Sequence, residues 1–327
     1  MNEHGEKRLN ALITGAPGSP IDGWTSLHPF YNGVFQWLWD RLGVFSTPVI
    51  FVVIGPAGAG KTSLIEYIKV QLIKRLAAAM QADPSLLPFV SGEAIYTPGV
   101  GVAWKSIFSD ILECGNECLI DAKVVEPGDR PGTLPGLYHA VHQLMIHRSP
   151  ALAMIDEAAA LVENFKKSPD ALEKNMHYLK GICNRSRTHL ALFGDYTLAN
   201  LAKASPQLQR RCHFAYLPPY PEAGFEMFES AVADFEDRFR GKGQECELRG
   251  SARELFVGTA GCVGLLHRWL NDAFVEAKLK KRPITKSLLL ATAPTQALLA
   301  GTRQQIADGE KQIAELCKRV SFFAPSA

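Results

Sequence analysis

The sequence predicts an α/β fold: a three-layer domain built on a parallel β-sheet, followed by a small all-helical domain. First, apolar and β-branched runs alternate along the chain with stretches of helical periodicity, which is typical of a parallel sheet with crossover helices. Second, the run Pro48–Ile54 contains no polar residue, as expected of a strand that is buried on both faces of such a sheet. Third, the strand-like runs stop after Pro221, and helical periodicity continues alone.

The predicted elements follow in order from these patterns. Apolar residues recur at helical spacing from Phe30 to Leu42, so a helix precedes the first strand. We predict strands at residues 48–54, 87–94, 152–155, 190–193 and 213–217. A Gly-rich turn follows the first of these strands, and we predict a helix from the end of that turn to about residue 80. Further helices are predicted at residues 104–112, 137–146, 170–183, 225–239, 251–257 and 263–277. Residues 121–136 are rich in Pro, Gly and charge and are predicted to form a loop.

A change in composition near residue 220 divides the chain. We predict an N-terminal arm (1–25), an α/β domain (26–220), a helical domain (221–290) and a C-terminal part (291–327). Residues 286–327 are read as one long helix with a short tail.

The composition bounds the class of protein and its partners. A chain of 327 residues with 47% hydrophobic and 21% charged residues is globular, which excludes disordered and fibrous proteins. The formal net charge is only +2, so a partner rich in phosphate would have to meet local basic patches. There is no secretory signal and no apolar run long enough to cross a bilayer, so we expect a soluble protein of the bacterial cytoplasm.

The seven cysteines are scattered and odd in number, which favours reduced thiols. Cys114 and Cys118 with His139 and His142 form a conceivable zinc set, but the spacing is not that of a structural zinc knuckle. Buried thiols and surface imidazoles are the alternative that we favour.

The segment from Gly55 to Thr62, GPAGAGKT, matches G-x4-G-K-[ST] between a predicted strand and a predicted helix. Glycines let the backbone wrap a phosphate with its N–H groups inward, and Lys61 would reach the β- and γ-phosphates. The Thr62 hydroxyl would bind Mg²⁺, and the start of the helix adds positive potential. The residues predicted to bind ATP here are Gly55, Pro56, Ala57, Gly58, Ala59, Gly60, Lys61, Thr62 and Ser63.

An acidic pair, Asp156 and Glu157, follows a buried strand about a hundred residues after the phosphate loop. Asp156 can hold the Mg²⁺ shell, and Glu157 can polarise the attacking water, so the pair predicts ATP hydrolysis. Two acids at the start of a helix would also be favourable with the helix dipole alone.

Further motifs separate the classes of phosphate-loop protein. No Asn-Lys-x-Asp guanine motif is present, which argues against a GTPase. A strand instead ends at Gly194-Asp195-Tyr196-Thr197, and Arg210 and Arg211 precede the last strand. Two arginines at the rim of the sheet suit a finger that reaches a neighbour's γ-phosphate, although ordinary surface arginines would look the same.

Together with the segment GCVGLLHRWL from Gly261, these motifs resemble the TniB/TnsC family of AAA+ ATPases, from about residue 25 to 290. That family regulates target-site choice in DNA transposition, including in CRISPR-associated transposons. The resemblance implies the AAA+ phosphate-loop fold with a helical lid, Lys61 and Thr62 as Walker A, and Asp156 and Glu157 as Walker B. It implies Arg210 or Arg211 as the finger acting in trans, and Arg268 or His267 as a second sensor.

The first sensor departs from the family pattern. An Asn or Thr is usual there, whereas this chain has Asp195, so Thr197 is the alternative candidate.

The resemblance also implies the partners: double-stranded DNA, the transposase, a TniQ-like target selector, and other copies of this chain in a ring or a helical filament. For DNA contact we name Thr97 and Lys105 in one loop, and Lys123 and Arg130 in another, because both lie between the Walker motifs. Residues Lys278 to Arg282 are a third basic segment, which is also read as a solvated helix end.

Two other functions remain open. A helicase loader or replication initiator would share the ATPase core and would carry a winged-helix segment, for which residues 286–327 leave little room. A kinase for small molecules would carry its lid inserted within the sheet domain.

Overall fold

In a computed structural model of the protein, the structure describes residues 18–97, 101–115, 132–162, 169–203 and 206–325. The first half contains, in order, α1 (Pro29–Leu42), β1 (Ile50–Ile54), α2 (Lys61–Ala82), β2 (Phe89–Glu93), β3 (Tyr96–Thr97), β4 (Gly101–Val102), α3 (Trp104–Cys114), α4 (Leu134–Arg148) and β5 (Leu152–Asp156). The second half contains α5 (Pro169–Ser186), β6 (His189–Gly194), α6 (Pro206–Gln209), β7 (Cys212–Tyr216), α7 (Phe225–Arg240), α8 (Ala252–Thr259), α9 (Val263–Leu279), α10 (Lys286–Ala291), α11 (Gln296–Cys317) and β8 (Phe322–Phe323).

Six strands form one parallel sheet in the order β2-β5-β6-β1-β7-β8. Strand β1 lies between β6 and β7 and is buried along its whole length, as its uninterrupted apolar sequence requires. Its side chains alternate: Phe51 and Val53 belong to one core cluster, and Ile50, Val52 and Ile54 to the other. The sheet is therefore the middle of three layers, with a hydrophobic core on each face.

The two cores include different helices. One contains buried residues of α1 and α2 and of the helices that follow β7, from α7 to α10. The other contains buried residues of α3, α4, α5 and the end of α11. The α/β fold with a parallel sheet and a helical region after it is thus confirmed.

Three sequence predictions are corrected by the structure. The C-terminal part is not one helix, because Pro294 lacks an N–H group and separates α10 from α11, where the Thr295 hydroxyl accepts from Leu298 N at 3.3 Å. The predicted loop 121–136 ends earlier, since Thr133 caps α4 by accepting from Gly136 N at 3.3 Å. Lys105 lies in the first turn of α3 and not in a loop.

Two features were not predicted. Strands β3 and β4 form a short antiparallel hairpin between β2 and α3. Strand β8, close to the C-terminus, joins the edge of the main sheet beside β7. In the described part of the chain, no helix combines the length and the apolar character that a membrane span needs.

Candidate nucleotide-binding site

The Gly-rich segment predicted from the sequence joins the end of β1 to the start of α2. Gly58 and Gly60 adopt φ values of 78° and 96°, a left-handed conformation that glycine takes without strain. Gly55 is packed so tightly that a Cβ atom there would lie 2.7 Å from Leu217 O. Gly60 is the N-cap of α2, and no side chain caps the helix. The first-turn amides therefore point toward the mouth of the loop, a geometry that suits a phosphate.

Lys61 lies under this loop rather than in solvent. Its Nζ donates to Gly55 O at 3.0 Å and to Pro56 O at 2.9 Å, and only 8% of the residue is exposed. Burial lowers the pKa of Lys61, and the negative charges of Glu157 and Asp156 oppose that shift. The ammonium group is thus a buried donor with acidic neighbours on one side.

Thr62 and Asp156 meet across the site. Thr62 Oγ1 donates to Asp156 Oδ2 at 2.7 Å, and Asp156 is the last residue of β5. A hydroxyl and a carboxylate oxygen at this distance are the kind of hard oxygen ligands that Mg²⁺ takes beside substrate phosphates. The two residues fit a magnesium site, which the motif spacing predicted.

Glu157 follows directly and has a special backbone conformation. Its φ of 48° lies in the left-handed region, which is uncommon for a residue with a side chain, and its N–H donates to Asp156 Oδ1 at 2.9 Å. The residue is exposed, yet desolvation of its carboxyl group and the charge of Asp156 raise its pKa, while Lys61 opposes the shift. A carboxyl group at the mouth of the phosphate loop, with an elevated pKa, suits a general base.

The first-sensor candidates lie at the end of β6, which is the neighbour of β1. Asp195 Oδ1 accepts from Thr197 N at 2.8 Å, so the Asp195 side chain caps the short 3-10 helix Tyr196–Lys203. Asp195 also contributes to the acidic surroundings of Lys61 and Glu157. The structure therefore brings Asp195 close to Lys61 and Glu157, and the Asp195 side chain in addition caps the helix through its hydrogen bond with Thr197 N.

The two candidate finger arginines occupy the turn between α6 and β7, and both are exposed. Arg211 Nη1 donates to Asn184 Oδ1 at 2.8 Å within the same chain. Within the described part of the chain, the guanidinium of Arg210 has no such partner. Arg210 is thus the arginine that is available to a neighbouring molecule.

The start of α9 lies directly on the phosphate loop, a contact that the sequence analysis missed. Leu265 N donates to Gly58 O at 3.2 Å. A Cβ atom on Gly264 would lie 2.5 Å from Gly58 O and 3.0 Å from Gly60 N. Gly264, the second glycine of GCVGLLHRWL, was the sequence signal for this contact, because only a residue without a side chain permits the helix to approach the loop so closely.

The second-sensor candidates lie one turn further along α9. Arg268 is exposed, whereas His267 Nε2 pairs with the carbonyl oxygen of Ile21 at 2.9 Å. His267 thus holds the segment before α1 against α9, and Arg268 is the better candidate for a ligand contact.

The other candidates are only partly described. Lys105 is exposed on α3, the backbone of Thr97 lies in β3, and Lys123 and Arg130 lie outside the described residues. Cys118 of the conceivable zinc set also lies outside them. Among the described residues, no group of three or more His, Cys, Asp or Glu side chains is placed to hold a metal ion, so Cys114, His139 and His142 do not form one.

Residues 46–201, just under half of the chain, match the family model described as AAA domain. The ORC2 protein of Aeropyrum pernix in its ADP form has a TM-score of 0.53 and 16% identity, covering 85% of this chain and 69% of that chain. A Walker-type ATPase of Pyrococcus abyssi has a TM-score of 0.48 and 14% identity, covering 87% of this chain and 74% of that chain.

No curated protein matches the chain. At 16% identity the likeness to ORC2 shows the fold alone. The chain thus has the fold of AAA+ proteins, and the region that matches the AAA domain model contains the phosphate loop and the acidic pair.

Proposed function

We propose that this AAA-domain protein binds and hydrolyses ATP with Mg²⁺ at the site between β1, β5 and β6. The observation that carries the proposal is the 2.7 Å hydrogen bond between Thr62 Oγ1 and Asp156 Oδ2, formed beside a buried Lys61. These residues come from two distant parts of the sequence, and their meeting assembles the donor set that a Mg²⁺–nucleotide complex needs. The ORC2 relative was solved with ADP, which supports an adenine nucleotide as the ligand.

The residues divide the work. The amides of the phosphate loop and the Lys61 ammonium would bind phosphate oxygens, and Thr62 with Asp156 would hold a magnesium ion, which would neutralise phosphate charge. Glu157 accepts the proton of the attacking water, a role for which its elevated pKa prepares it. Arg268 is exposed on α9, one turn after the residues of that helix that contact the phosphate loop, and it senses the bound nucleotide.

We further propose that copies of the chain assemble so that each supplies an arginine to its neighbour's site. Arg210 is the better finger, because it is exposed while Arg211 is held by Asn184 of its own chain. A guanidinium that arrives from outside stabilises the charge that develops on the γ-phosphate, and hydrolysis then depends on assembly.

The proposed biological role is that of an ATP-dependent regulator of DNA transposition. In this role the chain assembles on double-stranded DNA and links a TniQ-like target selector to the transposase. The motif pattern supports this role, and Lys105 is an exposed cation next to the β3–β4 hairpin. With a net charge of only +2, each subunit makes few phosphate contacts, so the DNA affinity must come from several linked subunits.

The test uses labelled random-sequence duplex DNA with and without a non-hydrolysable ATP analogue, at two salt concentrations. We expect the analogue to tighten binding, salt to weaken it, and Lys105→Ala to reduce it. Lys242→Ala is the matched control, because Lys242 is exposed on the turn after α7 in the helical region. Equal affinity with and without the analogue, or preference for one sequence, would contradict the proposed role in assembly.

Electron microscopy of the same mixture, with purified TniQ-like selector and transposase added, tests the finer role. Nucleotide-dependent rings or filaments on DNA that recruit both proteins support it. Filaments that recruit neither favour the helicase loader or replication initiator, which would use the same nucleotide site. Phosphate transfer to a metabolite would favour a kinase, but the helical region here follows β7, and only the two-residue edge strand β8 comes after it.

A further inference from the structure

The C-terminal helix α11 is packed against the segment that carries the sensor candidates. Its Gly309 faces the ring of Tyr196 so closely that a Cβ atom there would lie 2.2 Å from two ring carbons. Ile313 and Leu316, one and two turns later, are buried in the core on the same face of the sheet. Tyr196 stands between Asp195 and Thr197 in the sequence, so the helix contacts the sensor segment itself.

Three side chains connect this helix to the sheet. Tyr216 OH donates to Glu310 Oε1 at 2.5 Å, and the hydroxyl groups of Tyr196 and Tyr216 are 2.8 Å apart. Because the single proton of Tyr216 goes to Glu310, Tyr196 must donate to Tyr216. Burial raises the pKa of both tyrosines, so both hydroxyl groups keep their protons. The hydrogen bonds therefore run from Tyr196 to Tyr216 and from Tyr216 to Glu310.

Tyr216, which takes part in both hydrogen bonds, lies beside the strand that leads into the phosphate loop. Tyr216 ends β7 and is aligned with Ile54, the residue before the first glycine of the phosphate loop. The Tyr196–Tyr216 hydrogen bond therefore joins the sensor segment to the strand beside the loop. Glu310, on α11, fixes the position of the Tyr216 hydroxyl group by accepting its hydrogen bond.

The segment after α11 anchors the helix in turn. Strand β8 pairs with β7 at Phe214 and Ala215, and the ring of Phe323 stacks on Trp37 of α1 at 5.8 Å between centroids. At the other end of α11, Arg303 Nη2 donates to Val257 O of α8 at 3.1 Å. The helix is thus fastened to the helical region, to the edge of the sheet and to the sensor segment.

We propose that Glu310, Tyr216 and Tyr196 are positioning residues for ATP hydrolysis, which hold the segment Asp195–Thr197 in register with the phosphate loop. This inference rests on the proposed ATPase function. A sensor group that is displaced by even a fraction of an ångström from the γ-phosphate slows the chemical step. Ground-state binding depends on the phosphate loop and Lys61, and in the described part of the chain the three side chains make no hydrogen bond to either. They therefore act on the rate and not on the affinity.

The test compares Glu310→Ala, Glu310→Gln and Tyr216→Phe with Glu315→Ala. Glu315 is exposed on the same helix and forms a surface ion pair with Lys318 at 2.7 Å, so it controls for loss of a carboxylate from α11. Tyr216→Phe removes one hydroxyl and keeps the ring, which guards against a general loss of packing. The measurements are the dissociation constant for a fluorescent ATP analogue, the single-turnover rate of hydrolysis, and amide hydrogen exchange of residues 194–203.

We expect Glu310→Ala and Tyr216→Phe to slow single turnover by about tenfold, with the dissociation constant unchanged within about twofold. Glu310→Gln should recover part of the rate, because its amide oxygen still accepts from Tyr216. Exchange of residues 194–203 should rise in the two slow variants and stay unchanged in Glu315→Ala.

Each outcome separates this inference from the proposed function. If the wild type hydrolyses ATP and the Glu310 and Tyr216 variants match Glu315→Ala, the positioning role is overturned and the ATPase stands. Equal losses of rate and affinity would also overturn it, because they indicate a structural role alone. If the wild type neither binds nor hydrolyses ATP, the proposed function itself fails.

Discussion

Replacing Gly264 by alanine tests the contact between α9 and the phosphate loop. The added methyl group would lie 2.5 Å from Gly58 O, which is nearly 1 Å inside ordinary contact, and the obstacle is backbone that cannot rotate away. Either the loop or the start of α9 must move. Overpacking of this kind costs about 1–3 kcal/mol of folding free energy. The same movement disturbs the loop that holds the phosphates, so nucleotide affinity should fall as well.

Gly301→Ala is the matched control for this substitution. Gly301 lies in the interior of α11, and a methyl group there meets nothing within 4 Å. Since glycine is poor in a helix interior, this change should raise the free energy of unfolding by about 0.5–1 kcal/mol. Urea unfolding followed by circular dichroism, with titration of a fluorescent ATP analogue, measures both effects. If the two variants were equally stable and bound nucleotide equally well, the inferred contact would be wrong.

Two further predictions concern assembly and pH. Arg210→Ala subunits mixed with Lys61→Ala subunits should regain part of the ATPase activity that each lacks alone, because each supplies the half-site that the other has lost; no recovery at any mixing ratio would contradict a finger acting in trans. Burial lowers the pKa of His28 to about 3, so below pH of about 6.5 the unfolded chain binds a proton that the folded chain cannot, and this histidine alone should remove about 2 kcal/mol of stability between pH 7 and pH 5. In urea unfolding, the free energy of unfolding of His28→Gln should fall between pH 7 and pH 5 by about 2 kcal/mol less than that of the wild type. An unchanged pH dependence would contradict the lowered pKa of His28.

The layers of the fold and the centre of the site could be predicted because local signals carry them. Three features can each be recognised from a short stretch of neighbouring residues: the apolar run of β1, the Gly-rich turn after it, and the acidic pair at the end of β5. Parallel strands also bring their carboxyl ends to one edge of a sheet, so the meeting of Thr62 with Asp156 follows from the fold class.

The remaining features depend on contacts between distant parts of the chain. Strand β8 has only two residues and no strand-like pattern of its own, so its pairing with β7 had no signal in the sequence. The hydrogen bond from Tyr216 to Glu310 joins residues 94 positions apart, and neither residue stands in a motif. Gly264 was visible within a motif, but its reason is the approach of α9 to Gly58, which only the tertiary structure reveals.

The most direct measurement of the central claim is phosphate release by Glu157→Gln under saturating Mg²⁺ and ATP, with nucleotide binding measured on the same protein and on Lys61→Ala. In the proposed mechanism Lys61 contacts ground-state phosphates, whereas Glu157 acts only on the attacking water. The account predicts that Glu157→Gln binds ATP as the wild type does and releases phosphate at least about a hundredfold more slowly, and that Lys61→Ala does not bind. Phosphate release by Glu157→Gln at the wild-type rate would contradict it.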